Sequence, residues 1–172
     1  SEASGDYSTA MGSFIWASGD FSTAIGLEIT ASGSNSTAMG NGTAASGDVS
    51  TAMGFGVTAS GDFSTAMGIY TRAIGENSTA MGTETRAIGE NSTAMGYGGR
   101  VSDYASTVIG HYNLTGISPT SATSFSLDAP AFVIGNGFAN DDRSDAFSIL
   151  FDGTTNIAGS VTATSFIGDG SQ

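Results

Sequence analysis

The side chains of this sequence that could do chemistry are few and regularly spaced. His111 is the single histidine, and cysteine and lysine are absent. Neither a Cys/His dyad nor a clustered zinc site can be assembled from that set. Serines recur close to acids, but none has a neighbouring base to take its proton, as a serine nucleophile requires. Asp6, Asp20, Asp48, Asp62, Glu76 and Glu90 recur in one phase. Such a column either holds cations or is a series of turn formers. The turn reading is preferred, because like charges about 5 Å apart repel only modestly in solvent. Asp141, Asp142 and Asp145 gather beside Asn140 without the spacing of a calcium loop. Gly135-Asn136-Gly137 and Gly168-Asp169-Gly170 read as turns and match no phosphate loop. The sequons at Asn35, Asn77 and Asn91 fall out of a repeat. No cofactor or catalytic residue is expected. A glycan-cleaving site would need one distinct carboxylate pair in a groove, and a repetitive acid column singles out none.

What positions these residues is an internal period. Ser-Thr-Ala-Met-Gly begins at Ser8 and returns, with Met or Ile fourth, at Ser22, Ser36, Ser50, Ser64, Ser78 and Ser92, with an altered copy at Ser106. Every step is 14 residues, without an insertion. Ala3-Ser4-Gly5-Asp6 is locked to it and recurs from Ala17, Ala31, Ala45, Ala59, Ala73 and Ala87, varying to Ile-Gly-Glu at Ile74 and Ile88. Fourteen residues are too few for a helical repeat, and frequent glycine disfavours a helix. The unit fits two short strands and two turns. One turn falls at Gly-Asp/Glu, where the glycine is expected to supply a positive φ. The other falls in the variable tetrapeptide after Met-Gly. Such a unit cannot bury a face alone, so copies stack. The expected product is an all-β parallel solenoid, or β-roll, of 14-residue coils with two narrow sheets, roughly 35–40 Å long at about 4.8 Å per coil.

Stacking turns each repeat position into a column. Alternation puts Ser, Ala and Gly of Ser-Thr-Ala-Met-Gly on one face and Thr and Met on the other. A thin coil has room only for small side chains, so Ser, Ala and Gly are placed inside. Met11, Ile25, Met39, Met53, Met67, Met81, Met95 and Ile109 then form one external stripe holding all six methionines. A continuous apolar ladder on a surface calls for a partner, and copies arranged around an axis would bury it. The converse, with Met as the core, stays open on sequence alone. Thr9 and its copies make a second ladder, which if exposed is the pattern of an ice-binding solenoid. Arg72, Arg86 and Arg100 form a column close to Glu76 and Glu90, suiting local or inter-subunit ion pairs. Among the variable tetrapeptides, Phe14, Trp16, Phe55, Tyr70 and Tyr97 are the candidate receptor contacts, and Trp16 is alternatively a cover for the first coils.

After Gly110 the period ends. Residues 111–130, rich in Ser and Thr, read as a connector, and 131–172 as a small β-rich module too short to stand alone. Apolar runs stand at Phe132–Ile134, Ala146–Phe151 and Val161–Ile167, and Asp152-Gly153 signals a hairpin turn before a strand at 154–157. The composition sets limits on partners. A net charge of −12 with four arginines makes nucleic acid a poor ligand. No apolar run reaches the roughly 20 residues of a membrane span, so no membrane insertion is expected of this segment. The start at Ser1, without a leader-like stretch, reads as a mature or excised piece.

Residues 1–110 resemble the head repeats of trimeric autotransporter adhesins, the YadA-like head. The resemblance rests on Ser36-Thr37-Ala38-Met39-Gly40 followed by Ala45-Ser46-Gly47, and on the equivalent pairs from Ala3 to Gly110. It implies a left-handed roll, a homotrimer, an extracellular place on a cell surface and a non-enzymatic adhesive role toward a host receptor or matrix component. The tail resembles phage tail-fibre-like proteins at Phe132-Val133-Ile134-Gly135-Asn136-Gly137 and at Ala163–Ser171. That similarity implies, as the alternative, a receptor-binding fibre of a phage or injection device, with 131–172 a trimeric module.

Overall fold

The computed structural model of the protein describes residues 1–115 and 121–165. It is all-β, with seventeen strands among the described residues. β1 is Glu2–Ala3, and β2 (Thr9–Ala17) and β3 (Thr23–Ala31) are long and continuous. From there each coil has a five-residue and a two-residue strand. These are β4 (Thr37–Asn41) and β5 (Ala44–Ala45), β6 (Thr51–Phe55) and β7 (Thr58–Ala59), β8 (Thr65–Ile69) and β9 (Arg72–Ala73). The series continues with β10 (Thr79–Thr83) and β11 (Arg86–Ala87), β12 (Thr93–Tyr97) and β13 (Arg100–Val101), and β14 (Thr107–His111). β15 (Pro130–Asn136), β16 (Asp145–Leu150) and β17 (Thr155–Ile157) follow.

Every pairing within the roll is parallel and joins a residue to its copy in the next coil, as in Thr65↔Thr79↔Thr93 and Met67↔Met81↔Met95. About eight coils stack in this way. The expected two sheets are joined at the first coils, because β2 and β3 run through the tetrapeptide and stay paired at Ile15↔Ile29 and Trp16↔Thr30. In later coils a turn separates long from short strand.

The interior is as thin as the volume argument requires. Ala24, Ala38, Ala52, Ala66, Ala80 and Ala94, together with Ala31, Ala45, Ala59, Ala73 and Ala87, are fully buried. Ser22 and its copies are buried between them. The Oγ atoms of Ser22, Ser36, Ser50, Ser64, Ser78 and Ser92 have no hydrogen-bond partner among the described residues, whereas Ser106 Oγ donates to Pro130 O. A further interior column comes from the tetrapeptides, whose third residues Ile15, Ile29, Thr43, Val57, Thr71 and Thr85 are all buried. Ile15 and Ile29 lie within β2 and β3, whereas Thr43, Val57, Thr71 and Thr85 sit between the long and short strands, so in the later coils this column belongs to the tetrapeptide turn.

Two expectations about glycine are corrected. The positive φ of the Gly-Asp turn belongs to the residue after the acid, as in Phe21 (φ 57) and Phe63 (φ 57). Ser22 N donates to Gly19 O at 3.1 Å across that turn, so the positive φ falls at the third turn position, where type II turns need it. Gly19 and its copies are glycine for a steric reason: a Cβ there would strike the carbonyl of the glycine in the next coil. The glycine of Met-Gly does not face the interior either. Gly40 and Gly54 are exposed, with φ of 125° and 131°, and a Cβ would again point at the next coil's carbonyl.

The far end of the roll is closed by residues beyond the period. β15 pairs in parallel with β14, placing Phe132 on Thr107, Val133 on Val108, Ile134 on Ile109 and Gly135 on Gly110. Asn113 finishes the short-strand ladder. Its Oδ1 accepts from Arg100 N at 2.8 Å and its Nδ2 donates to Arg100 O at 2.9 Å, so one amide stands in for a strand. Arg143 donates to Gly98 O and Asn113 O and sits over the Tyr112 ring. β16 and β17 then form an antiparallel hairpin on β15. Its turn is the expected Asp152-Gly153, with Asp152 Oδ1 accepting from Thr154 N at 2.7 Å. Residues 161–165 of the expected apolar run form no strand. Its remainder, the Gly168 turn and part of the Ala163–Ser171 segment lie outside the described residues.

Candidate functional site

Long strands present the methionine ladder because Ala points inward at every second position. Met11, Met39, Met53 and Met95 are between 36 and 58 % exposed, and Ile25, Met67, Met81 and Ile109 are half-buried. The parallel register places all eight on one line. Ile134 adds a ninth rung. The sequence signal for it was Val133-Ile134-Gly135 repeating Val108-Ile109-Gly110. The Thr column lies on the same face and is mostly half-buried.

The five aromatic candidates are all exposed, but they do not form one site. Phe55 and Tyr70 meet edge to face, with centroids 5.3 Å apart. Tyr97 stacks on His111 at 5.1 Å and touches Tyr112. Phe14 and Trp16 stand in the first coils, with Trp16 paired to Glu2 of β1. Sequence reasoning missed the aromatics of the opposite edge. Tyr7, Phe21 and Phe63 occupy the positive-φ position of the Gly-Asp turn and are exposed, and Tyr7 and Phe21 stack at 5.2 Å. Their fixed distance after each glycine was the available signal.

The acid column has a structural task. Asp20 Oδ1 accepts from Asp6 N, Asp48 from Ser34 N and Asp62 from Asp48 N, each at 2.9 Å. Each aspartate thus caps the turn of the preceding coil. Among the described residues no group of three or more His, Cys, Asp or Glu side chains is arranged to hold a metal ion. His111 Nδ1 lies 2.5 Å from Gly137 O, so it ties the tail to the roll. Asp141 and Asp142 are exposed, whereas Asp145 is half-buried and accepts from Leu114 N at 2.8 Å.

Arg72, Arg86 and Arg100 are in register. Among the described residues the expected local ion pairs are not formed: Arg86 is held below the usual arginine range by burial, then by Arg100 and Arg72. A cavity of about 990 Å³ opens where the roll meets the hairpin, lined by Val101, Asp103, Val108, Val133, Asp145 and Leu150 among others. Burial raises both aspartates above the usual range, with the Leu114 N–H partly opposing the rise at Asp145.

A parallel solenoid of in-register coils carrying one apolar ladder belongs to the class of stacked-repeat scaffolds. Within that class the assignment is specific: a family model for the YadA head domain repeat, in its two-copy form, matches residues 3–28, 31–56, 50–71 and 73–98. These spans cover more than half of the chain, which belongs to this family of adhesin head repeats. The match does not extend into residues 111–172, and the tail-fibre similarity of that segment finds no support. No curated protein matches the chain.

Proposed function

We propose that the protein is a non-enzymatic head segment of a trimeric surface adhesin. Three left-handed rolls close around an axis parallel to their length, with Met11, Ile25, Met39, Met53, Met67, Met81, Met95 and Ile109 turned inward. Residues 1–110 are the head and 111–130 a connector; within 131–172 the first stretch, through Asn136, adds a rung to the roll and the remainder is a terminal β module. The exposed edges, carrying Phe14, Trp16, Phe55, Tyr70 and Tyr97, face a cell-surface or matrix receptor. Three copies of weak edge contacts gain avidity without a deep pocket.

The observation that carries this reading is the apolar ladder itself. A continuous line of Met and Ile over the whole roll is costly in water, and each side chain, already about half covered within the roll, contributes roughly 1 kcal/mol more when a partner covers the rest. Light scattering of the purified chain tests it: a trimer is expected, and a stable folded monomer refutes it. Met67→Asp with Met81→Asp is expected to abolish assembly at micromolar concentration while the single-chain β signal persists.

A further inference from the structure

The four arginines are the whole cationic complement of the chain, and three of them stack on one face. Arg72↔Arg86↔Arg100 are partners in the short-strand ladder, so their charges repeat at the coil spacing of about 4.8 Å. Tyr70 and Glu84 border the same shallow hollow. Even so, among the described residues neither Arg72 nor Arg86 forms an ion pair, and what acts on Arg86 besides burial is its two arginine neighbours. Earlier coils carry Thr30, Ala44 and Thr58 at this position. The cationic face is therefore confined to the later coils.

The same coils change at a second place. The block Thr-Arg-Ala-Ile-Gly-Glu-Asn-Ser occurs at 71–78 and again at 85–92. Wherever this block brings an arginine, it also replaces the turn aspartate by glutamate. Asp20, Asp48 and Asp62 spend a carboxylate oxygen on the turn N–H of the preceding coil. Glu76 and Glu90 make no such bond among the described residues, and Glu76 Oε1 accepts only from Asn77 Nδ2, at 3.4 Å. Glu76 is exposed, whereas Glu90 is half-buried and its N–H donates to Ala122 O of the chain's own connector at 2.8 Å, so the Gly75-Glu76 turn is the open one. Arginines without a carboxylate and carboxylates without a cation thus enter the chain together, in the same coils.

The topology puts them on opposite edges. The long strand is entered through the Gly-Glu turn and left through the tetrapeptide turn, after which Arg72 or Arg86 follows on the short strand. When copies close around an axis facing the methionine ladder, one edge of each copy meets the other edge of the next, as a head-to-tail ring contact requires. Parallel copies at equal height then bring Glu turns beside arginines. We propose that the arginine ladder receives the exposed Gly75-Glu76 turn of a second copy of this chain, Arg72 and Arg86 flanking its Glu76. This rests on the trimeric reading. Exposed pairs add little stability each, so the ladder's task is to fix the axial register of the copies, which a featureless methionine line leaves free to slide.

The chain has no cysteine, which allows a clean test. Chains carrying Arg72→Cys and chains carrying Glu76→Cys, with different tags, are co-expressed and treated with a short bis-maleimide. A band joining both tags, several-fold above that from either variant alone, is expected. Light scattering on the same sample separates the two ideas. A monomer refutes the trimer, whereas a trimer without the mixed band overturns the pairing alone. As a second measurement, Arg72→Glu should lower the melting temperature, and adding Glu76→Arg should restore it. Failure of rescue counts against the pairing. Retention on immobilised heparin that Arg86→Gln abolishes, with no mixed band, would make the ladder an outward anion site and also overturn it.

Discussion

Three glycines separate the two reasons for glycine in this roll. Gly42 has φ +62, and a Cβ there would come no closer than 3.8 Å to the next coil. Gly61 has no positive φ, but a Cβ would strike the Gly75 carbonyl and lie 2.7 Å from Ile74 O. Gly68 has φ +122, and its Cβ would strike the Gly82 carbonyl. For Gly42→Ala the left-handed region costs about 1 kcal/mol. The stiffer unfolded chain returns roughly 0.5–1 kcal/mol, leaving a net change under about 1 kcal/mol. For Gly61→Ala the two coils must part by about 1 Å, which weakens two or three ladder hydrogen bonds worth about 1 kcal/mol each. The expected loss is roughly 2–3 kcal/mol per chain. Gly68→Ala adds the strain of a region nearly reserved for glycine, about 1–3 kcal/mol, for a total near 4 kcal/mol or more. Guanidinium unfolding followed by circular dichroism, at one fixed protein concentration because assembly shifts the midpoint, reads the order Gly42→Ala, Gly61→Ala, Gly68→Ala. Equal losses at Gly42 and Gly61, or no loss at Gly61, would refute the close-approach argument.

Other outcomes follow from the interior and the roll's end. Ser64 is fully buried and its Oγ has no partner among the described residues. A buried hydroxyl without a hydrogen bond costs about 1–3 kcal/mol, so Ser64→Ala is expected to raise stability by about 1 kcal/mol, and Ala66→Ser to lower it similarly, both read from denaturant midpoints. Asp145 and Asp103 are raised above the ordinary aspartate range by burial. The folded state then holds protons that the unfolded state has released, so their contribution favours folding below the unfolded value of about 3.9 and is lost as pH rises through the raised folded value. Asp145→Asn, which keeps an acceptor for Leu114 N, should therefore flatten the pH dependence of the melting temperature above pH about 4; an unchanged profile would count against burial as the cause.

Much of the fold was legible because the repeat is exact in length. A fixed period of 14 brings each residue onto its copy in the next coil, and side-chain volume favoured the Ala face over the Met face as the interior, a choice the buried Ala columns decide. The third tetrapeptide position was not legible, because Ile15, Thr43 and Thr85 share shape at Cβ and not polarity. A hydrophobicity pattern misses a column whose rule is branching. The glycines were legible as necessary and were given the wrong reason, since sequence cannot distinguish a backbone that needs a positive φ from one that needs a neighbour close by. The candidate aromatics were legible as exposed, but their grouping was not, because distance across coils depends on where each turn points.

By itself the sequence determined the period, the parallel in-register ladder and the single line of methionines, while which face turned inward was left for the structure to decide. These are local consequences of spacing and side-chain volume, and identical neighbours in register make them cooperative. Tertiary structure decided what lies between coils and at the end. It gave the aspartates their task as caps of the preceding turn. It left the arginines of the later coils stacked on one another with no ion pair at Arg72 or Arg86 among the described residues. It also turned Phe132–Asn136 from the start of another module into the next rung of the same ladder. Those outcomes depend on which backbone groups remain unpaired once the coils have stacked, and unpaired groups become visible only when the chain has closed on itself.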